Sequence, residues 1–571
     1  MPPVSRSHIK NNIKLLFVIK NTEFDSPKGR IGQPILIKQD IYMDLHTKNA
    51  IRYALIVALG GFVFGLDAAI ISGTIRYITL EFGLSNLEVG TVVSAPSLGA
   101  IIALFFAGKI ADAWGRKNTL ILIAGLYLLS ALGSALATSY EMLVASRLIG
   151  GLAFSSLSLA SMYIGEVAPS RLRGKLVSGN QLNIVIGLSA AYFINYYLVI
   201  NTSESFYLLS PEGIWRTMLG SELIAALVWF GLLFTVPESP RWLILKGRSQ
   251  EAKMVLGKLY SPKEIIDTVQ NINANMVDDK QTPFVDQLKN LVTPKYKTTL
   301  IIGIIIAVVQ GITGMNAILF YAPTVFEQIG FGGDAAFQQS IYIGLTSVVF
   351  TLLAILFIDR FGRRPLLLIG LVTAMLSHVT CWYGFNSATF SINEEKIVTL
   401  SENINAKPLE ILQGKSFNND VEFKEALSAV YNVQDLHRYE SQIIETAISV
   451  NPYIVLFGIL GFIAAFHISI GPIMWVLFSE IFPNSVRSAA IPVSAIVTSI
   501  ASYLIQQFFP WQLANFGAGN TFLMYAVFSA IGLALIAKML PETKDKSIEE
   551  IELLLAPDNL EHHTSSVNVP R

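Results

Sequence analysis

Long apolar runs dominate the chain, and shorter polar stretches separate them. Runs long enough to cross a bilayer, roughly 20 residues each, fall near 51–75, 88–108, 118–137, 142–164, 176–199, 214–236, 298–327, 338–358, 365–385, 450–477, 488–509 and 518–540. The pattern predicts an all-α membrane protein with twelve transmembrane helices.

The polar stretches set an orientation. Loops after even-numbered spans hold Lys109, Arg116 and Lys117, then Arg171, Arg173 and Lys175, then Arg360, Arg363 and Arg364, then Arg487; loops after odd-numbered spans hold almost none. Basic short loops stay in the cytoplasm. The expectation is a multi-pass protein of the cell membrane with both termini cytoplasmic. It divides into a cytoplasmic tail 1–49, a six-helix bundle 50–236, a cytoplasmic helical linker 237–297, a second six-helix bundle 298–540 and a cytoplasmic tail 541–571. Met1 and Met43 are alternative starts.

Two connections are long. The linker carries ten Lys or Arg, and Ser261-Pro262-Lys263-Glu264 reads as a capping box with Pro at the first helical position. Residues 388–447 form an external insertion with ten acidic and five basic residues and one helix expected near Glu422–Tyr431. It reads as a solvated excursion. Ser547-Ile548-Glu549-Glu550 is a further capping box, opening a short amphipathic helix to about Leu555. Asn201-Thr202-Ser203 is a glycosylation sequon on an external loop.

Composition narrows the function classes. Charged residues make up 14% of the 571, where a soluble domain carries about a quarter. The formal net charge of zero points to no nucleic-acid partner. The single cysteine, Cys381, allows no disulfide or thiolate metal site within the chain, and the seven His form no ligand cluster. No metal or cofactor is expected. No nucleophile–base set or phosphate loop supports an enzyme.

One residue interrupts the apolar pattern. Asp67 sits inside the first run, in Gly60-Gly61-Phe62-Val63-Phe64-Gly65-Leu66-Asp67. A carboxylate at the centre of a spanning helix costs roughly 2.5–3.5 kcal/mol on insertion scales. Such a residue faces a cavity or a partner and marks a proton or ion site; a carboxylate near a helix end that snorkels is the alternative. The glycines around it allow close helix approach or local unwinding.

The chain also repeats itself. Asp112-Ala113-Trp114-Gly115-Arg116-Lys117 returns as Asp359-Arg360-Phe361-Gly362-Arg363-Arg364. Glu166-Val167-Ala168-Pro169 with Arg173 returns as Glu480-Ile481-Phe482-Pro483 with Arg487, and Pro237-Glu238-Ser239 as Pro541-Glu542-Thr543. Asp112 and Glu166 are 54 residues apart and Asp359 and Glu480 are 121 apart; the excess of 67 approximates the external insertion. Duplicated halves with a midplane site are an architecture of secondary transporters. The repeated charges Asp112, Arg116, Glu166, Arg173, Glu238, Asp359, Arg363, Glu480 and Arg487 are expected to form a cytoplasmic ion-pair latch. The latch would hold that side closed while the external side is open.

GKIADAWGRK (108–117), FIDRFGRRP (357–365), Arg147 in SRLIGG, EVAPSRLRG (166–174), PESPRW (237–242), GPIMW (471–475), SEIFP (479–483) and PETK (541–544) together resemble the sugar porter family of the major facilitator superfamily. The resemblance covers about 50–550. It implies two six-helix halves and transport of a monosaccharide or polyol by a chain expected to be monomeric in the bilayer. Asp in the Phe64-Gly65-Leu66-Asp67 slot resembles proton symporters, with Arg147 and Glu222 as the matching partners. An approaching guanidinium lowers the pKa of a carboxyl in a dry cavity, so Arg147 near Asp67 in one state and distant in another would load and release one proton per cycle. Glu222 would compete for Arg147.

Gln181, Gln310, Asn316, Trp475 and Phe64 match pocket positions of the family. Amides supply donors and acceptors, and aromatics pack the C–H face of a sugar. Gly311, Ser347, Leu188, Thr498 and Ser499 replace longer polar or aromatic groups, which leaves the sugar unassigned. His467 is either a replacement polar group or a packing residue. Two other readings remain: a uniporter in which Asp67 is structural, and a non-transporting receptor, against which the short stretch after the Pro541 helix counts.

Overall fold

The computed structural model describes residues 45–203, 205–260, 264–266, 268–270, 284–402 and 404–555. Met43 and the Ser261-Pro262-Lys263 portion of the linker box lie outside them. Eleven helices among the described residues are long and apolar enough to cross a membrane. The first six are Leu45–Gly73, Asn86–Trp114, Arg116–Ala135, Tyr140–Val167, Leu172–Ile200 and Ile214–Leu233. The others are Pro294–Phe320, Gly333–Phe361, Arg363–Asn386, Pro452–Ile481 and Ser485–Met539.

The last helix runs 55 residues and contains two crossings. It breaks at Gly517, whose φ of 77° and ψ of 163° suit a residue without Cβ. The arms before and after it are the eleventh and twelfth spans. The first span begins at Leu45, so its opening turn falls in the stretch expected as tail. Asn49 there donates to the Lys258 carbonyl (3.1 Å), tying the span to linker helix Ser249–Leu259.

Caps explain several of the ends. Ser85 and Glu88 form a reciprocal capping box at the start of the second span, and Ser139 caps the fourth. The Ser547 box also forms: Ser547 N donates to Glu550 Oε2 (2.7 Å) and Glu550 N to Ser547 Oγ (3.2 Å). Glycine sets the closest crossing in the first half. A Cβ on Gly65 would stand 1.9 Å from the Ile184 carbonyl, and one on Gly187 would stand 2.1 Å from that of Phe62. The first and fifth spans therefore meet backbone to backbone around Asp67.

Chain direction alternates from span to span, so the repeated charges gather at one end, the motif end. Residues 388–447 sit at the opposite, insertion end. Side-chain hydrogen bonds join the two halves toward the insertion end. Ser94 Oγ donates to Gln507 Oε1 (2.8 Å), and Gln507 Nε2 returns to the Leu87 carbonyl (2.9 Å) and Thr91 Oγ1 (3.1 Å). Ser97 binds Gln506 (2.9 Å), and the Tyr192 hydroxyl donates to the Leu319 carbonyl (2.6 Å).

The insertion is folded, where the sequence suggested one helix in a solvated excursion. Strand β1 (Thr389–Ser391) lies between β2 (Ser416–Phe417) and β3 (Ile448–Ser449), antiparallel to both, with Phe390 opposite Phe417 and Ile448. Helices Glu394–Ser401, Asp420–Ser428 and Val433–Ala447 cover the sheet, each opened by an Asn cap: Asn393, Asn419 and Asn432. Phe390, Leu409, Phe423, Leu427, Ile443 and Ile444 form a separate core.

Candidate functional site

Asp67, Arg147 and Glu222 come from the first, fourth and sixth spans and meet in the interior of the first half, each at most 2% exposed. They lie six, seven and eight residues from the insertion-side ends of their spans. At 1.5 Å per residue, that is about 10 Å below the insertion-side surface. Arg147 Nη1 pairs with Asp67 Oδ1, and Nη2 reaches the Asp67 carbonyl (3.4 Å). The Glu222 carboxyl is within interaction range of both partners. Tyr127 stands beside the cluster and shares a hydrogen bond with Ser156 (3.3 Å).

Asp67 Oδ2, Arg147 Nε and Glu222 Oε1 are buried with no hydrogen-bond partner. Arg147 pairs with Asp67, the Glu222 carboxyl stands beside that pair, and each carboxyl has one oxygen without a protein partner. Small residues keep the approach open: a Cβ on Gly150, one turn along from Arg147, would strike Ser130 Oγ at 2.5 Å and lie 3.8 Å from Asp67 Oδ2.

The amide set is spread over both halves. Gln310 is half-buried in the seventh span, and its Oε1 is buried without a partner. Three residues later the helix opens at Thr313 and Gly314 (φ 87°), then restarts at Met315. Asn316 follows that opening and is half-buried. Gly311 rests against Ala501 of the eleventh span, and Thr498 there contacts the Met474 sulfur (3.8 Å), next to Trp475. Gln310 and Trp475 thus lie on spans that meet through the eleventh. Trp475 is 46% exposed and packs edge-on against Phe478 (5.8 Å). Gln181 is half-buried on the fifth span, one turn before Ile184 at the Gly65 crossing. Phe64 packs against Phe154 (4.5 Å), whose ring neighbours Tyr127 (6.5 Å); this places Phe64 beside the ion cluster.

Two histidines complete the second half. His467 Nδ1 meets Thr351 Oγ1 (3.2 Å), and its Nε2 is buried and unpartnered. Ser347, one turn before Thr351, is spent on the Ile343 carbonyl (2.8 Å). His378, which sequence reasoning passed over, lies fully buried in the ninth span with Nε2 3.0 Å from the Thr313 carbonyl at the seventh-span opening. The opening frees carbonyls from the helix ladder, and a ring N–H satisfies one of them. Adjacent Gln506 and Gln507 in an apolar run were the overlooked signal for the contact between halves.

At the motif end the two copies repeat one geometry. Arg116 Nη1 meets Asp112 Oδ1 (3.0 Å), and Arg116 Nε meets Glu166 Oε2 (3.3 Å). Arg363 pairs with Asp359 (3.2 Å) and Glu480 (2.9 Å). Glu238 accepts from the backbone N–H groups of Arg116 (2.8 Å), Lys117 (3.1 Å) and Ser239 (2.8 Å). Glu542 does the same for Arg363 and Arg364, each at 3.1 Å. Gly115 (φ 95°) and Gly362 (φ 89°) turn the chain so that these N–H groups face the carboxylates. Burial pushes the Glu238 carboxyl up, and the three N–H donors and the Arg116 charge oppose that shift.

These ion pairs close within each half, and they are formed while the halves are tied together at the insertion end. Arg173 and Arg487 sit apart from the pairs. Arg173 is exposed near Tyr260 of the linker, and Arg487 Nε donates to the Phe482 carbonyl (2.9 Å) with Nη2 buried and unpaired.

Two six-helix halves with the same charged motif, and an ion cluster sealed within the first, define a secondary transporter of the major facilitator fold. The chain belongs to the family described as sugar (and other) transporter, whose profile matches residues 53–400 and 437–555. The arabinose-proton symporter of Bacillus subtilis strain 168 is 34% identical over 497 residues, covering 87% of this chain and 93% of that protein. The D-xylose-proton symporter of Escherichia coli K12 is 30% identical over 538 residues, covering 88% and 95%. Among solved structures, the inward open xylose transporter XylE of E. coli superposes with a TM-score of 0.67 at 28% identity, over 88% of this chain and 98% of that one.

Proposed function

We propose that the protein carries out proton-coupled symport of a monosaccharide or polyol by alternating access, with Asp67 as the proton carrier. The carrying observation is the buried Asp67–Arg147–Glu222 cluster, in which Arg147 pairs with Asp67 and a second carboxyl, Glu222, stands beside the pair. The symporter names of the arabinose and xylose relatives support the same reading.

In this arrangement Arg147 stabilises ionised Asp67. Withdrawal of Arg147 toward Glu222 leaves an Asp67 carboxylate in an apolar site, where it takes up a proton. Return of Arg147 expels that proton. Gln181, Gln310, Asn316 and Trp475 bind the sugar, and Phe64, beside the proton site, packs its apolar face. The basic motif end faces the cytoplasm, as the positive-inside rule requires, so both termini are cytoplasmic, the insertion is external, and the structure is an inward-facing state. The chain acts as a monomer in the bilayer.

The test uses proteoliposomes with L-arabinose and D-xylose. Asp67→Asn should abolish accumulation against a gradient and leave sugar exchange. Undiminished accumulation in that variant would sink the proton-carrier role and favour uniport.

A further inference from the structure

The folded insertion has no place in the transport cycle described so far. Its central part, between residues 400 and 437, lies outside the family match, yet it is built around a buried core of its own. We propose that the insertion is a strap across the mouth it overlies, fixed to the second half and hooked onto the first, which must unhook before that mouth opens. The proposal rests on the alternating-access reading.

The fixed side is well tied. Asp420 Oδ2 accepts from the Ala518 N–H (3.1 Å), so the insertion caps the start of the twelfth span. A Cβ on Gly517, where the long helix breaks, would strike Asp420 Oδ1 at 2.5 Å. Four residues on, Lys424 Nζ reaches Gln328 Oε1 just beyond the seventh span (2.8 Å), and it also pairs with Glu440 of the insertion (3.4 Å). Both anchors belong to the second half.

The hook reaches the first half. Helix Val433–Ala447 packs against helix Ile75–Phe82, which follows the first span. Adjacent glycines place the two charged groups: a Cβ on Gly332 would lie 2.6 Å from Glu445 Oε1, and one on Gly333 would lie 3.2 Å from Arg76 Nη1. Arg76 of the first half therefore faces Glu445 of the insertion over the Gly332-Gly333 turn. Burial raises the Glu445 carboxyl, and the Arg76 charge opposes that rise. Glu327 and Asp334 act on neighbouring Tyr77 and add negative charge from the second half. Opening of this end must separate Arg76 from Glu445, because the anchors at Ala518 and Gln328 carry the insertion away with the second half.

The first arm of the experiment needs no transported sugar. A reporter cysteine at Asn316 is labelled from the insertion side with a membrane-impermeant maleimide in the full chain; native Cys381 is fully buried. Glu445→Ala in that background should speed labelling about two- to fivefold, as loss of one attraction between facing charges implies. A separate variant carrying Arg76→Cys and Glu445→Cys should be bridged by a bis-methanethiosulfonate reagent about as long as the two lost side chains, and bridging should stop uptake of L-arabinose or D-xylose until a reductant is added. An unchanged labelling rate in Glu445→Ala would overturn the strap, as would a cysteine pair that the bifunctional reagent does not bridge. Absence of uptake by the wild-type chain would count against the transport reading, and the labelling and cross-linking results would still decide the strap.

Discussion

Arg147 pairs with Asp67 while a second carboxyl, Glu222, stands beside the pair, so the cluster holds one more carboxyl than guanidinium. Asp67 Oδ2, Arg147 Nε and Glu222 Oε1 find no partner within the protein. The cost of removing the guanidinium follows. Arg147→Ala leaves two carboxylates in the apolar interior, a loss of about 3–5 kcal/mol for breaking a buried pair. Melting of the purified variant should drop accordingly, and Asp67→Asn, which keeps an acceptor for Arg147, should drop less. Equal melting of Arg147→Ala and wild type would show that the cluster is solvated. Asp67 was legible in the sequence because its cost in an apolar run is local information. Its partners were legible only through the family resemblance, because no pattern along a chain says which spans meet. His378 was not legible at all: its meaning depends on a carbonyl 65 residues away that is freed only when the seventh span opens.

At the level of elements, the motif end joins three pieces of chain around one turn. The exposed Asp112 is the dispensable member, at 74% side-chain exposure, while Glu238 holds three backbone N–H groups. Asp112→Asn should therefore cost less than about 1 kcal/mol. Glu238→Ala removes a helix cap and should cost about 1–2 kcal/mol. Thermal unfolding of the two variants checks the order, and a larger loss in Asp112→Asn would reverse it.

A second clasp lies at the other end. Glu81 accepts from Arg216 Nη2 (2.6 Å) and Nη1 (2.9 Å) and from Trp215 Nε1 (2.6 Å). Burial raises the Glu81 carboxyl, but the bonds to Arg216 and Trp215 and the Arg216 charge outweigh it and hold the group below its ordinary 4.5. A depressed folded-state pKa contributes stability above the unfolded value, and that stability is lost as pH falls through the folded one. The melting difference between wild type and Glu81→Gln should thus be constant above pH 4.5 and shrink below it. A difference that grows on acidification would contradict the assignment.

At the scale of the whole molecule, the structure is tied at the insertion end. Gln507 makes three of the hydrogen bonds between the halves there. Hydrogen bonds between membrane helices average about 0.6 kcal/mol, so Gln507→Leu should shift the equilibrium toward the insertion-end-open state by about 2 kcal/mol, more than tenfold in population. Cysteine labelling from that side reports the shift, and an unchanged rate would show that these bonds do not hold the mouth shut.

Twelve spans and the repeat were readable because apolar length and motif order survive without any contact information. The insertion was misread as solvated. Its apolar residues are interleaved with charges in no long run, and Phe390, Phe423 and Ile444 find one another only in the folded state. The repeated charges were legible as a cluster at one end, but not which of them pair: Arg116 and Arg363 each find their carboxylates within their own half.

The central claim is that sugar and proton cross together through Asp67. It is tested most directly by adding L-arabinose or D-xylose to weakly buffered proteoliposomes and recording external pH. The account predicts alkalinisation with the wild-type chain and none with Asp67→Asn. Sugar entry into wild-type vesicles without any pH change, or equal alkalinisation by both chains, would contradict it.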